Sequence, residues 1–241
     1  MFQPTFEFTQ SFQQLGLSNI AFATVYGLEP KASLYGEYLQ LLDTMGKWAL
    51  DVDEQQLEVQ PVLNGYFELI RSIGRSPKKF PPSARALIDI IKRRKQFPRI
   101  STVVDLYNIT SLSSCLSLGV HDLSKLKGAI QFRISPGGEV FYPIGGNEKT
   151  TASGDYVYAD SETVLAWLDA RDSELVKVTG NTSDILIVVQ GNLQTSLANR
   201  MDALEELCQR LIQVCGGTAM LGHADVTGGM TIWRPLTQPK Q

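Results

Sequence analysis

Apolar residues recur along this chain with several different periods, and the switches between them mark out its elements. Thr5-Phe6-Glu7-Phe8 alternates, whereas residues 19–27 (NIAFATVYG) are apolar almost throughout. Alternation suits a strand with one wet face and an unbroken apolar run suits one covered on both, so two strands are expected, the second central in a sheet. Leu34, Tyr38, Leu41, Leu42, Met45, Trp48 and Ala49 then return every three or four residues, the stripe of an amphipathic helix over 34–50. Residues 61–73 repeat that spacing with Pro61 suited to a first turn, and Pro81-Pro82-Ser83 opens a further helix with Ala86, Leu87, Ile90 and Ile91 inward. Residues 103–109 form a short helix with Ser101 or Thr102 as N-cap, from which Asn108 projects. Gly119 releases the chain into a loop carrying His121-Asp122. Residues 128–134 alternate as a half-buried strand, and Ser135-Pro136-Gly137-Gly138 turns into a second strand over 139–142, which gathers polar groups at the mouth of a hairpin. Strands are expected at 156–159 and 164–168, and a fully buried one at 184–189. Leu197, Met201, Leu204, Leu207, Cys208, Leu211 and Ile212 stripe a long helix that Gly216 closes, and Ala219-Met220-Leu221 leads toward a last strand near residues 230–233. The sum is an α+β domain, helices packed on a mixed β-sheet. Residues 1–60 would supply N-terminal strands and a helix packed on a main domain spanning 61–236.

Composition narrows the class. With 241 residues, 43% of them hydrophobic and 20% charged, the chain can bury one substantial core. No apolar run approaches the roughly 20 residues that span a bilayer, and Met1-Phe2-Gln3-Pro4-Thr5 lacks the regions of a signal peptide, so a cytoplasmic protein is expected. Cys115, Cys208 and Cys215 are odd in number and lack metal-ligand spacing, which suits buried thiols rather than a disulfide framework or a metal site. The net charge of −3 hides a division: −6 over residues 1–74, +8 over 75–99 and −5 over 100–241. The basic segment holds Arg75, Lys78, Lys79, Arg85, Lys92, Arg93, Arg94, Lys95 and Arg99. Phosphate is its natural partner, since neutralising a nucleic-acid backbone releases counterions; cations at a helix C-terminus also simply complement the dipole.

Several side chains downstream carry chemistry. His121 can orient water or move a proton near neutral pH, or cap a helix as a loop residue. Asp122 faces a site or caps the turn that follows it. Asn108 offers both donor and acceptor on an otherwise apolar helix, and Tyr107 beside it touches a substrate or packs in the core. Arg171-Asp172-Ser173 follows a strand, where Arg171 can hold a phosphate or carboxylate, or pair with Asp172 at the surface. Lys177 either adds a phosphate contact or sits at a strand edge. Glu139, Asp160 and Asp169 are acids on the same expected face and would suit a cationic side chain. No Gly-x-Ser-x-Gly occurs and Cys115 has no evident His-Asp partner, which disfavours covalent hydrolysis.

The ordered set of motifs from Ile70-Arg71-Ser72-Ile73-Gly74 through Pro81-Pro82-Ser83-Ala84-Arg85-Ala86-Leu87, Val103-Val104-Asp105-Leu106-Tyr107-Asn108, Gly119-Val120-His121-Asp122-Leu123, Gly137-Gly138-Glu139, Tyr158-Ala159-Asp160 and Arg171-Asp172-Ser173 to Lys177-Val178-Thr179 resembles the B3/B4 domain. That is the editing domain of the phenylalanyl-tRNA synthetase β subunit, and the likeness is greatest to its free-standing relatives. The resemblance implies a hydrolase that cleaves the ester between a wrong amino acid and tRNA, using a positioned water and no cofactor. Asn108, His121 and Asp122 would be catalytic, with Tyr107, Glu139, Asp169, Arg171, Asp172 and Ser173 around the substrate. Arg71, Lys78, Lys79, Arg85, Lys92, Arg93, Arg94, Lys95 and Lys177 would hold tRNA; neither DNA nor a membrane is an expected partner. Two departures matter. The synthetase domain has a His about where Gly119 stands and a glycine-rich segment about where Leu168 to Asp172 lie, so its recognition of tyrosine does not carry over. Relatives also suggest a basic analogue such as canavanine on arginine tRNA as the ester removed. The rival readings are a non-catalytic RNA-binding or assembly module and a small-molecule amino-acid binder.

Overall fold

The computed structural model describes residues 3–228 and 231–236. In chain order the elements are β1 (Phe6–Phe8), α1 (Gln10–Gln13), β2 (Asn19–Tyr26), α2 (Gly36–Asp51), α3 (Glu54–Val59), α4 (Pro61–Ser72), α5 (Ser83–Arg94) and α6 (Thr102–Ser114). There follow β3 (Gly119–Asp122), β4 (Ile130–Ile134), β5 (Val140–Phe141), β6 (Lys149–Thr150), β7 (Tyr156–Ala159), β8 (Val164–Trp167), β9 (Arg171–Asp172), β10 (Ile185–Val189), α7 (Leu197–Cys215), β11 (Thr218–Asp225) and β12 (Thr231–Pro235).

Among the described residues ten strands divide between two five-stranded sheets rather than one, and β5 and β6 form a two-stranded sheet of their own. The first runs β1-β4-β7-β8-β9 and is mixed, because β1 lies parallel to β4 while the other pairs are antiparallel. The second runs β12-β11-β2-β10-β3 and is antiparallel throughout. Its two faces explain the apolar runs of β2 and β10. Ala21, Ala23, Val25, Ile185, Ile187 and Val189 pack against the helices, while Ile20, Phe22, Leu186 and Val188 pack with side chains of the first sheet. A strand covered on both sides keeps no polar alternation. The molecule is thus helices, antiparallel sheet and mixed sheet in three layers, and β1 and β2 build the N-terminal residues into both sheets.

Two expected helix starts are found: Ser101 accepts from the Val104 N–H at the start of α6, and Pro61 occupies the first turn of α4. At α7 Ser196 accepts from the Asn199 N–H, a cap not among the expected ones. In α5 the buried face is Ala84, Leu87, Ile88 and Ile91; Ala86 and Ile90, expected inward, are half-buried. The expected hairpin over 128–142 does not form: β5 pairs with β6, and β4 lies between β1 and β7. All three cysteines are buried, with their thiols pushed up to about 11, 12 and 11 for Cys115, Cys208 and Cys215. Of the last strand's expected span, residue 230 lies outside the described residues. No helix of the described residues is long and apolar enough to cross a membrane.

Candidate functional site

A cleft of about 60 Å³ opens between the two sheets, lined by Ser83, Ser117, Leu118, Gly119, Tyr158, Ala166, Asp169, Ala170, Arg171, Asp172, Val188 and Gln190. Three local features build it. The first is β3, whose residues point alternately to the two faces: Val120 joins the helical core, while Gly119 and His121 face the mixed sheet. A Cβ on residue 119 would overlap the Tyr158 hydroxyl and come 3.2 Å from His121 Nε2 and 3.3 Å from Asp172 Oδ1, so only glycine fits. The second is the β8–β9 turn, where Ala170 N–H donates to Trp167 C=O at 3.2 Å and both central residues are left-handed, Leu168 at φ 58° and Asp169 at φ 51°. Asparagine or glycine usually fills such a turn. The third is the start of α5, where Ser83 N–H donates to the Asp169 carbonyl at 3.2 Å and to Ser117 Oγ at 3.1 Å, fastening the turn.

Two carboxyl groups meet in this cleft with no ion pair to either among the described residues. Burial raises Asp169 to about 8, with Asp172 adding to the rise and the Tyr156 hydroxyl opposing it; Gln190 Nε2 donates to it at 2.8 Å. Burial raises Asp172 to about 7, opposed by the Val120 N–H, 3.3 Å from Oδ2. Asp172 is therefore poised to exchange a proton near neutral pH. Arg171 brings a guanidinium whose Nε is buried and unpartnered, and Ser83 Oγ is likewise unpartnered. Unspent buried donors beside a cleft are what a polar ligand could satisfy.

The other expected site residues lie elsewhere or play other parts. His121 is a strand residue, not a loop residue: it is fully buried, Nε2 lies 2.7 Å from the Tyr158 hydroxyl, and burial lowers it to about 3, so it stays neutral at pH 7. Asp122 points the opposite way, accepting from Ser124 N–H at 3.1 Å and Thr182 Oγ1 at 2.7 Å, so the two neighbours do not act on one point. Asn108 is half-buried on α6 outside the cleft lining, next to Tyr107, whose hydroxyl is pushed well above its ordinary value, first by burial and then by Asp172. Glu139 is engaged by Arg133 and Ser135, and Asp160 caps the turn before β8 by accepting from Glu162 and Thr163 N–H groups. Ser173 is buried and accepts from Leu175 N–H; Lys177 pairs with Glu174.

The basic segment also divides. Arg75 makes two bonds to buried Asp155, which also accepts from Trp167 Nε1. Arg85 pairs with Glu54 and Asp89, Lys92 with Glu54, and Arg99 with buried Asp105. Lys78, Lys79, Arg93, Arg94 and Lys95 are exposed and carry no ion pair among the described residues, and Arg71 lies over the Phe67 ring at 5.8 Å.

Residues 66–211, more than half the chain, match the model of the B3/4 domain. The chain belongs to the B3/4 domain family. It is 26% identical over 151 residues to the phenylalanine-tRNA ligase beta subunit of Symbiobacterium thermophilum, an alignment covering 53% of this chain and 17% of that one. With the same subunit of Shewanella oneidensis it shares 33% identity over 95 residues, 39% of this chain and 12% of that one. The chain thus spans less than a quarter of the length of these curated relatives. An N-terminal fragment of the phenylalanyl-tRNA synthetase beta subunit from Pyrococcus horikoshii has a similar fold, with a TM-score of 0.50, 17% identity and coverage of 99% of this chain and 56% of that one.

In this B3/4 domain the cleft adds Tyr158, Ser83, Ser117 and Gln190 to the residues that sequence reasoning singled out. Gln190 carried a signal, as the polar end of an otherwise apolar strand. Tyr158 and Ser83 carried none beyond lying inside motifs shared with the family.

Proposed function

We propose that this B3/4 domain is an aminoacyl-tRNA deacylase acting in trans, a fidelity enzyme of the cytoplasm that hydrolyses the ester of a mischarged tRNA with a water held at Asp172. Asp172 in the cleft between the sheets is the observation that carries the reading: a carboxyl without an ion pair and with a pKa of about 7 can take a proton from water as the water adds to the ester carbonyl. The ester C–O bond then breaks, the ribose oxygen leaves with a proton, and the free amino acid departs. A cationic side chain entering beside Asp169 would draw off its proton and pair with the carboxylate, and canavanine on arginine tRNA is the leading candidate. The unpaired cations Lys78, Lys79, Arg93, Arg94 and Lys95 would meet the tRNA backbone.

The test is a panel of tRNAs charged correctly and incorrectly, including tyrosine on phenylalanine tRNA and canavanine on arginine tRNA, incubated with the wild type, Asp172→Asn and Asn108→Ala. Selective ester loss that Asp172→Asn lowers by about 100-fold or more supports the deacylase. If Asn108→Ala alone abolishes turnover, α6 rather than β9 positions the water. Binding of tRNA without ester loss from any species would favour the non-catalytic module.

A further inference from the structure

We propose that Tyr158 is a catalytic residue of this cleft, its hydroxyl donating a hydrogen bond to the carbonyl oxygen of the ester under attack while His121 fixes its orientation. The inference rests on the deacylase reading and names a group that reading leaves out.

The hydroxyl stands where a side chain at 119 would otherwise be, at the cleft wall between Gly119 and Asp172. The phenol ring is clamped, only 4% exposed, with Phe132 at 5.0 Å and His121 at 5.5 Å between ring centroids. Its contact with His121 Nε2 admits two proton arrangements. If Nε2 accepts, Nδ1 carries the neutral ring's single proton, and a buried N–H is left without any acceptor among the described residues. If Nε2–H donates to the phenol oxygen, Nδ1 is left with only a bare lone pair, and an unsatisfied acceptor costs less than an unsatisfied donor. The second arrangement turns the Tyr158 O–H proton into the cleft that the residue lines, where water accepts it until a substrate does, whereas the enclosed Nδ1–H of the first arrangement has no such outlet.

A donor in that state is what an ester carbonyl needs. As water adds to the carbonyl carbon, the C=O electron pair moves onto oxygen, and a hydrogen bond already aimed there gains strength with the charge. Tyr158 gives up no proton; it returns to its starting state when the tetrahedral species collapses and the ribose oxygen leaves. Burial keeps the phenol un-ionised at any physiological pH, and keeps His121 neutral, so neither changes character during turnover. Asp172, whose Oδ1 lies 3.3 Å from that same Cβ position at Gly119, takes the water's proton, so donor and base border one stretch of the cleft.

The experiment is single-turnover hydrolysis by the full chain, with canavanyl arginine tRNA as the probe and thermal unfolding followed in parallel. Tyr158→Phe keeps the ring packing and removes only the hydroxyl; the expected result is a rate lower by about 100-fold with the half-saturating tRNA concentration unchanged. His121→Gln retains a donor at the Nε2 position and should hold the rate within about tenfold, whereas His121→Leu should fall with Tyr158→Phe. This second pair decides the matter if Tyr158→Phe unfolds. A Tyr158→Phe rate within about threefold of wild type, or a loss confined to tRNA affinity, overturns the proposal while leaving the deacylase reading standing. A wild type that hydrolyses neither this probe nor any tRNA of the charged panel overturns both.

Discussion

Three buried titratable side chains surround the cleft, and they pull the stability of the fold in opposite directions as pH changes. Asp169 and Asp172 have folded values of about 8 and 7, above the unfolded value of roughly 3.9. The folded protein therefore keeps protons the unfolded chain has released. Their contribution is complete below about pH 4 and is lost as pH rises through the folded values. His121 runs the other way: its folded value of about 3 lies below the unfolded value of about 6.5, so its contribution is present above pH 6.5 and is lost as pH falls. The effects oppose each other between about pH 4 and 6.5, and from there to pH 8 the carboxyls alone act, each costing up to about 1.4 kcal/mol per pH unit while it titrates. Asp169→Asn removes one of them and keeps a partner for Gln190. Urea unfolding at pH 5 and pH 8 should show the variant gaining on the wild type by on the order of 3 to 4 kcal/mol at the higher pH. A gap that stays constant or narrows would mean Asp169 is already ionised in the fold. At this scale the sequence offered residue types but not surroundings, which is why His121 read as a neutral-pH proton carrier: nothing in His-Asp states that a strand will bury both and aim them at opposite faces.

Left-handed backbone at two non-glycine sites separates the contribution of packing from that of conformation. Lys95 ends α5 at φ 59° with its side chain exposed, whereas Leu168 turns β8 into β9 at φ 58° with 1% of its surface exposed. Each pays about 1 kcal/mol or more for its φ. At Lys95 nothing packs in return, so Lys95→Gly should raise stability by about 1 kcal/mol. At Leu168 the lost side chain would cost about 3 kcal/mol, more than the strain relieved, so Leu168→Gly should lower stability by roughly 2 kcal/mol. Urea midpoints moving in the same direction for both would refute this division. The turn also marks where sequence reading ran out among the elements. The strand at 164–167 was visible from its apolar run, but Leu168, unlike Asp169 after it, has none of the usual turn chemistry and prolonged the expected strand by a residue. Likewise β5 and β6 pair over only two residues each, too short for periodicity to reveal which strand meets which.

Across the whole molecule, the long elements were legible because burial writes itself into period: α2, α4, α7 and β10 all lie within a few residues of their expected spans. The division into two sheets was not, since strand order depends on contacts such as β1 with β4 that lie more than a hundred residues apart. The same limit governs the charge. Nine basic residues look alike in a count, yet four are committed to carboxylates, Arg75 to an Asp155 that lies 80 residues on. What remains for a phosphate backbone is the set formed by Lys78 and Lys79 after α4 and by Arg93, Arg94 and Lys95 at the end of α5. Each phosphate contact adds about 0.7 to 0.9 to the slope of log K against log salt. Reversing Arg93 and Arg94 to Glu should therefore weaken tRNA binding and flatten that slope by about 1.5 to 2, measured by anisotropy titrations across a salt series. Arg85→Gln provides the contrast: its charge is already answered by Glu54 and Asp89, so the slope should hold while the packing of α3 on α5 loosens. An unchanged slope in the double reversal, with tRNA still bound, would move the nucleic-acid surface off this segment and make its excess of positive charge a matter of helix termini and solubility.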